Sequence, residues 1–281
     1  IVAMGTSLPE TAVSVSASLT GNNELAVSNV VGSNIFNLMV VIGVCAMIAT
    51  VNVAKETIKR DIPFSLICAG LLLFLGIAGF GDKAGMILGH LDGVILLGFF
   101  AGYIFYMIKI ALKASREGRK VEIEGGSDED IKLISVPLSI LFIVGGAAAI
   151  AVGGDITVDA AARIAGDLGM SQTLIGLTII AMGTSLPELV TSIVASRKDE
   201  VDMALGNVIG SNIFNILFVL GVAAAISPVG FALENIIDIA FLIIISAITL
   251  VFAWTSKEIN RKEGIIMLVL YAAYMVYICM R

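Results

Sequence analysis

Eight long apolar runs, at residues 25–50, 62–81, 87–112, 133–153, 172–196, 203–226, 236–254 and 264–280, alternate with short polar stretches. A helix needs about 17 to 25 predominantly apolar residues to cross a bilayer, and each run is long enough. A transmembrane barrel would give segments of about ten residues with alternating polarity, and these runs have neither that length nor that period. Residues 1–19 read as the remainder of one more span. The pattern predicts an all-α polytopic membrane protein.

Composition agrees: of 281 residues, 58% are hydrophobic and 14% charged, against roughly a quarter charged in soluble domains. Charge distribution adds an orientation. With segment 113–132 placed in the cytoplasm and the spans alternating, 14 of the 17 Lys and Arg residues fall at cytoplasmic ends. Only Lys83, Arg163 and Arg281 fall on the other side. Such a bias orients membrane proteins positive side in. Cys45, Cys68 and Cys279 lie in apolar spans without CxxC spacing, so no disulfide or metal framework follows. His90 reads as a loop residue at a span mouth, Asp82 and Asp92 as solvated there, and Trp254 beside Lys257 as an interfacial anchor. The chain opens on IVAMG, with no basic leader or cleavage site, and reads as cut from something longer.

The polar interruptions within the runs change the picture most. MGTSLPE occupies residues 4–10 and recurs letter for letter at 182–188. Shifting the chain by 178 residues aligns 1–53 with 179–231, with 27 of 53 positions identical. The identities concentrate in AMGTSLPE and GSNIFN (32–37 and 210–215), which are rich in small and polar residues. Four spans separate the two copies, so they cross the membrane in opposite directions. Inverted repeats are a common plan of secondary transporters, with a midplane site where broken helices of the two halves meet. The register implies ten spans in the intact chain, five per half, of which about nine are present here. The halves are then 1–113, lacking its N-terminal helix, and 133–281. The charged linker 114–132 joins them; its acidic part lacks the spacing of an EF-hand loop.

The repeated residues carry a specific chemistry. Pro9 and Pro187 each remove a backbone donor and free carbonyls around Ala3–Thr6 and Ala181–Thr184. In hydrocarbon, irregular backbone is tolerated only where it packs in protein or lines a wet cavity. Thr6, Glu10, Ser14 and Ser18 recur at every fourth position, as do Thr184, Glu188, Ser192 and Ser196, so each set shares a helix face. Asn29, Ser33 and Asn37, with Asn207, Ser211 and Asn215, form matching stripes on the next spans. Ser28/Gly32 and Gly206/Gly210 are small-xxx-small pairs suited to close helix approach. Glu10 and Glu188 lie deepest in apolar sequence, where an ionisable group is expensive and functional by default. Two carboxylates among neutral oxygens match one Ca2+, whose shell takes six to eight oxygens, or two or more Na+. Mg2+ fits less well, and a transition metal would want His or Cys.

GTSLPE followed by GSNIFN, duplicated in opposite orientation, resembles the alpha-repeats of the cation/calcium exchanger superfamily. Within it the chain is similar to the sodium/calcium exchangers of bacteria and archaea; the GNAVE-like motif of calcium/proton exchangers is absent. The resemblance implies a secondary antiporter exchanging Ca2+ for Na+ by alternating access, with no enzymatic activity and no cofactor. Glu10 and Glu188 would be the central Ca2+ ligands, joined by the carbonyls of Thr6 and Thr184. Na+ would use the same glutamates, the Ala3 and Ala181 carbonyls, the region of Thr6, Ser7, Thr184 and Ser185, and Ser33 and Ser211. Asn37 and Asn215 would sit beside the centre. Many family members have Asp where this chain has Asn215, which leaves Ca2+/H+ or K+-dependent exchange as alternatives; a cation channel or an intramembrane hydrolase using Ser7 or Ser185 fits the motifs less well. The expected partners are the lipid bilayer and the two ions, with no nucleic acid and no obligatory protein. The expected location is a prokaryotic plasma membrane, with linker 114–132 cytoplasmic.

Overall fold

The computed structural model describes residues 2–21, 23–78, 86–116, 175–198 and 200–280, with isolated helical positions between 138 and 169. Asp82, the linker beyond residue 116 and most of the expected span 133–153 lie outside the described residues.

Among the described residues the apolar runs fold as helices close to their expected bounds. The first part contains α1 (Val2–Thr6), α2 (Leu8–Leu19), α3 (Asn23–Phe36), α4 (Ile42–Ile48), α5 (Ile62–Ala78) and α6 (His90–Arg116). The second contains α7 (Ala181–Thr184), α8 (Leu186–Arg197), α9 (Val201–Phe214), α10 (Leu220–Ile226), α11 (Leu233–Ser256) and α12 (Arg261–Met280). Six continuous helical stretches, Leu25–Ile48, Thr57–Ala78, His90–Lys113, Asp202–Ile226, Leu233–Ser256 and Arg261–Met280, are long and apolar enough to span a membrane; the bent pair Thr178–Thr184 and Leu186–Arg197 makes a seventh. The protein is an integral, multi-pass membrane protein.

Burial separates a centre from a periphery. The most apolar windows of Leu25–Ile48 and Asp202–Ile226 are 78% and 72% buried, against 6% for His90–Lys113. The two central spans are those carrying the GSNIFN blocks. Each holds a π-helical segment beginning at the last residue of its block, Asn37–Val41 and Asn215–Val219. A π-segment inserts one residue into the helical register and is frequent at functional sites. The extra residue falls after Asn37 and Asn215, so the register changes beyond the fourfold stripe that ends on them.

Glycine decides where the outer helices meet the centre. A Cβ on Gly93 of α6 would fall 2.5 Å from Ala225 N and 2.7 Å from Gly221 O. On the other side, a Cβ on Gly264 of α12 would lie 2.8 Å from Ala46 Cβ and 2.9 Å from Gly43 O. Gly43 and Gly221 are 178 positions apart, so the two crossings are copies of one another. Aromatic contacts repeat the relation: Phe36 packs edge-on to Tyr271 at 5.8 Å, and Phe214 edge-on to Phe100 at 5.6 Å.

Two short antiparallel ribbons fasten the ends. β1 (Val51–Asn52) pairs with β4 (Glu258–Ile259), and β2 (Ile87–Leu88) with β3 (Val229–Gly230). Val53 N donates to Lys257 O at 2.9 Å, and Phe231 N to Met86 O at 2.8 Å. Lys257 and Met86 both have φ of 57°, a left-handed conformation costing about 1–2 kcal/mol in a residue with a side chain. The ribbons gather loops 51–56 and 257–260 at one end and loops 86–89 and 227–232 at the other, as alternating spans require.

Two local expectations are corrected. Asp92 is fully buried rather than solvated, because its carboxylate accepts the N–H of Gly89 at 2.9 Å and caps the start of α6. His90 is the first residue of that helix rather than part of a loop, and its Nδ1 lies 3.0 Å from Ala225 O.

Candidate cation site

Each copy of MGTSLPE breaks its helix at the serine. Ser7 (φ −87°, ψ 16°) separates α1 from α2, and Ser185 (φ −87°, ψ 6°) separates α7 from α8. The second break bends the span by 45°. Each proline enters the first turn of the helix that follows the break, where the missing N–H has no partner to lose. Thr11 and Thr191 hydroxyls donate to Ser7 O at 2.9 Å and Pro187 O at 2.7 Å.

The break gives Glu10 and Glu188 their setting. Both stand in the first turn of their helices and are fully buried. The positive end of the helix dipole favours a carboxylate there. Each glutamate is also held from the opposite copy: Ser7 Oγ donates to Glu188 Oε1 at 2.8 Å, and Ser185 Oγ to Glu10 Oε1 at 3.0 Å. Ser211 adds a second donor to Glu188 Oε1 at 3.1 Å. No basic side chain among the described residues bonds to either glutamate.

Neutral oxygens close in with the same reciprocity. Ser33 Oγ donates to Ala181 O at 3.2 Å, and Ser211 Oγ lies 3.5 Å from Ala3 O. Thr184 Oγ1 is 3.3 Å from Asn29 Oδ1 and 3.2 Å from Ser33 Oγ; Thr6 Oγ1 is 3.5 Å from Asn207 Oδ1. Nearly every contact from the first copy to the second has a partner running the other way, which is what a twofold axis between them produces. One difference stands out. Asn29 Nδ2 bonds to Ser14 Oγ at 3.1 Å, whereas the buried Asn207 Nδ2 has no partner among the described residues.

A clasp of four asparagines fixes the orientation of two further oxygens. Asn34 Nδ2 donates to Asn212 O, and Asn212 Nδ2 to Asn34 O, both at 3.2 Å. A backbone carbonyl can only accept, so these bonds set which end of each amide is the nitrogen. The remaining Oδ1 of Asn212 then accepts from Asn37 Nδ2, and that of Asn34 from Asn215 Nδ2, again at 3.2 Å. With their nitrogens committed, Asn37 and Asn215 each present an oxygen elsewhere.

Four carboxylate and amide oxygens of the glutamates and the clasp are therefore buried without a hydrogen-bond partner: Glu10 Oε2, Glu188 Oε2, Asn37 Oδ1 and Asn215 Oδ1. Buried oxygens without a partner are rare and call for water or an ion. All four are hard acceptors, and no group of three or more His, Cys, Asp or Glu gathers among the described residues. The donor set suits Na+ or Ca2+ rather than a transition metal.

All twelve residues singled out from the sequence lie on these broken helices or their central neighbours, and their side chains or carbonyls meet across the two copies, except that no contact of the Thr6 and Thr184 carbonyls enters the network. Asn34 and Asn212 were missed as positioning residues because they sit one place off the stripe. Their signal was identity between the copies at a position with no place on the polar face.

Comparison with known proteins places the chain. Its residues 1–109 and 138–280 match the family model described as sodium/calcium exchanger protein. The inner membrane protein YrbG of Escherichia coli is 34% identical over 277 residues, covering 95% of this chain and 81% of that protein. The sodium/calcium exchanger MaX1 of Methanosarcina acetivorans is 30% identical over 313 residues, covering 98% and 86%. Among solved structures, the sodium-calcium exchanger NCX_Mj soaked with 100 mM Na+ and 10 mM Sr2+ superposes with a TM-score of 0.77 at 34% identity, covering 98% of this chain and 83% of that one. The fold, the match over both copies and these relatives together show that the chain belongs to the sodium/calcium exchanger family.

Proposed function

We propose that this protein exchanges Ca2+ for Na+ across the membrane, the two cations competing for one midplane site built around Glu10 and Glu188. The observation that carries this reading is the set of four unpartnered buried oxygens on Glu10, Glu188, Asn37 and Asn215. Two carboxylates and neutral oxygens balance one Ca2+, and the Ala3 and Ala181 carbonyls with the Thr6, Ser7, Thr184, Ser185, Ser33 and Ser211 region extend the shell for Na+. Names of relatives agree, since MaX1 and NCX_Mj are both called sodium/calcium exchangers.

Alternating access follows from electrostatics. Emptied, the site would hold two buried carboxylates facing one another without a counter-charge, a state that costs several kcal/mol per ion. Only a loaded site passes between inward and outward exposure, and this makes the flux an exchange. In this reading residues 1–113 and 133–281 are the two halves, linker 114–132 is cytoplasmic, and the protein resides in a prokaryotic plasma membrane.

The test is flux into proteoliposomes. Vesicles holding the full-length protein are loaded with Na+ and diluted into radioactive Ca2+. Uptake should require the outward Na+ gradient and be indifferent to a pH gradient alone or to added K+. Uptake driven by protons alone would overturn Na+ coupling, and uptake with no counter-ion gradient would indicate a channel.

The asparagine clasp yields a separate prediction. In Asn215→Asp, only the protonated acid can donate to Asn34 Oδ1; the ionised form sets two acceptors against each other. The variant's exchange should gain a pH-dependent limb that the unsubstituted protein lacks. Superimposable pH profiles would place Asn215 outside the site.

A further inference from the structure

Two cavities outside the cation site share one lysine. The larger is an open groove of about 810 Å3 between α5 and α6, floored by Gly98 and Gly102 and walled by Phe64, Ile67 and Phe99. A Cβ on either glycine would meet nothing within 4 Å, so the absence of side chains there is what keeps the groove open. Its polar end carries Lys59, Arg60 and Tyr106. The smaller cavity, about 310 Å3, is formed by Lys55, Ile58, Lys59, Trp254 and Lys257. Lys59 borders both. The three lysines and Trp254 are exposed.

The charges here are not used up internally. Arg60 is tied to Asp61 at 2.7 Å and 3.1 Å. No carboxylate among the described residues pairs with Lys55, Lys59 or Lys257, and none lines either cavity. Glu56 and Glu258 stand at the same end of the molecule. The layout is a cationic nest at the membrane surface continuing into an apolar trough that runs down two spans. An interfacial tryptophan marks the headgroup level, and basic pockets between spans on the cytoplasmic side are suited to anionic headgroups.

We infer that this pair of cavities is a binding site for one anionic phospholipid, its phosphate held by Lys55, Lys59 and Lys257 and an acyl chain lying in the α5–α6 groove. The occupant is an amphiphile of the bilayer because charge complementarity and an apolar slot occur together and join at Lys59. A free anion would use only the first of these. The inference is independent of which ions the protein exchanges.

The chain reports on the site itself, because Trp254 is its single tryptophan. The protein, with any tryptophan outside residues 1–281 replaced by phenylalanine, is placed in mixed phosphatidylcholine and phosphatidylglycerol bilayers in which one lipid or the other is brominated, and quenching of tryptophan fluorescence is read. Each lysine near an anionic lipid contributes on the order of fivefold, so brominated phosphatidylglycerol should be enriched at Trp254 by at least that factor over its bulk fraction. The preference should vanish in the triple variant Lys55→Gln, Lys59→Gln, Lys257→Gln and persist in Lys198→Gln, which lies outside both cavities. Gly102→Leu, which fills the groove, should weaken it. Quenching that follows bulk composition for both lipids would overturn the proposal, as would displacement of the preference by inorganic phosphate or its survival in the triple variant.

Discussion

Glu188→Gln should abolish Na+-dependent Ca2+ uptake and, in the same protein, erase the rise in melting temperature that Ca2+ should give the unsubstituted chain. Removing one of two buried carboxylates leaves a divalent cation half neutralised. An uncompensated buried charge costs about 3–5 kcal/mol, which is a loss of binding on the order of a hundredfold or more. Glu10→Gln should behave alike, since its carboxylate faces the same centre from the other copy. The amide remains isosteric and still accepts from Ser7 and Ser211, which donate to Glu188 Oε1 at 2.8 Å and 3.1 Å. Loss of folding therefore cannot account for the loss of flux. Without cation the variant should be at least as stable as the unsubstituted protein, because one buried like charge is gone. Near-normal flux in both variants, or a Ca2+-dependent melting shift that survives, would remove the glutamates from the site.

The second large effect is structural. Gly93→Ala places a methyl 2.5 Å from Ala225 N and 2.7 Å from Gly221 O. Neither is a flexible side-chain end that can swing aside, so α6 must move off α10. Overpacking of this kind costs about 1–3 kcal/mol, and backbone obstacles put Gly93 at the upper end. Gly98→Ala, on the same helix with nothing within 4 Å, should stay within about 0.5 kcal/mol of the parent, as open positions do. Thermal unfolding in detergent separates the two. Equal melting temperatures would mean that α6 does not rest on α10 as described.

Much of this was legible in the chain because the bilayer makes sequence speak plainly. A span must be apolar along its length, so Leu25–Ile48 and Leu233–Ser256 are visible as runs, and a carboxylate such as Glu10 stands out within one. Exact duplication showed which polar residues belong together. What stayed hidden depends on what faces what. Gly93 and Gly264 look like any other membrane glycine until the helix across from them is known. Asn34 and Asn212 bond to one another's backbone across the two copies, and no spacing within either copy announces that. The π-segments that begin at Asn37 and Asn215 leave no periodic trace in the sequence. The ribbons β1–β4 and β2–β3 are two residues per strand, too short for alternation to register. Asp92 read as solvated because it sits among glycines near a loop, and the N–H of Gly89 that it accepts is a feature of the turn.

Those ribbons also bear on how the protein comes into being. Val51 pairs with Ile259 and Ile87 with Gly230, partners that lie more than two hundred and about 140 positions further along. At about 5–20 residues per second of synthesis, a first half waits on the order of ten seconds or more before its latch exists. Over the same interval Glu10 lacks Ser185, the donor that holds it at 3.0 Å. The nascent first half is thus an unfinished membrane domain carrying an acid with no cage. Its maturation waits on Ser185, β3 and β4, all of which belong to the later copy.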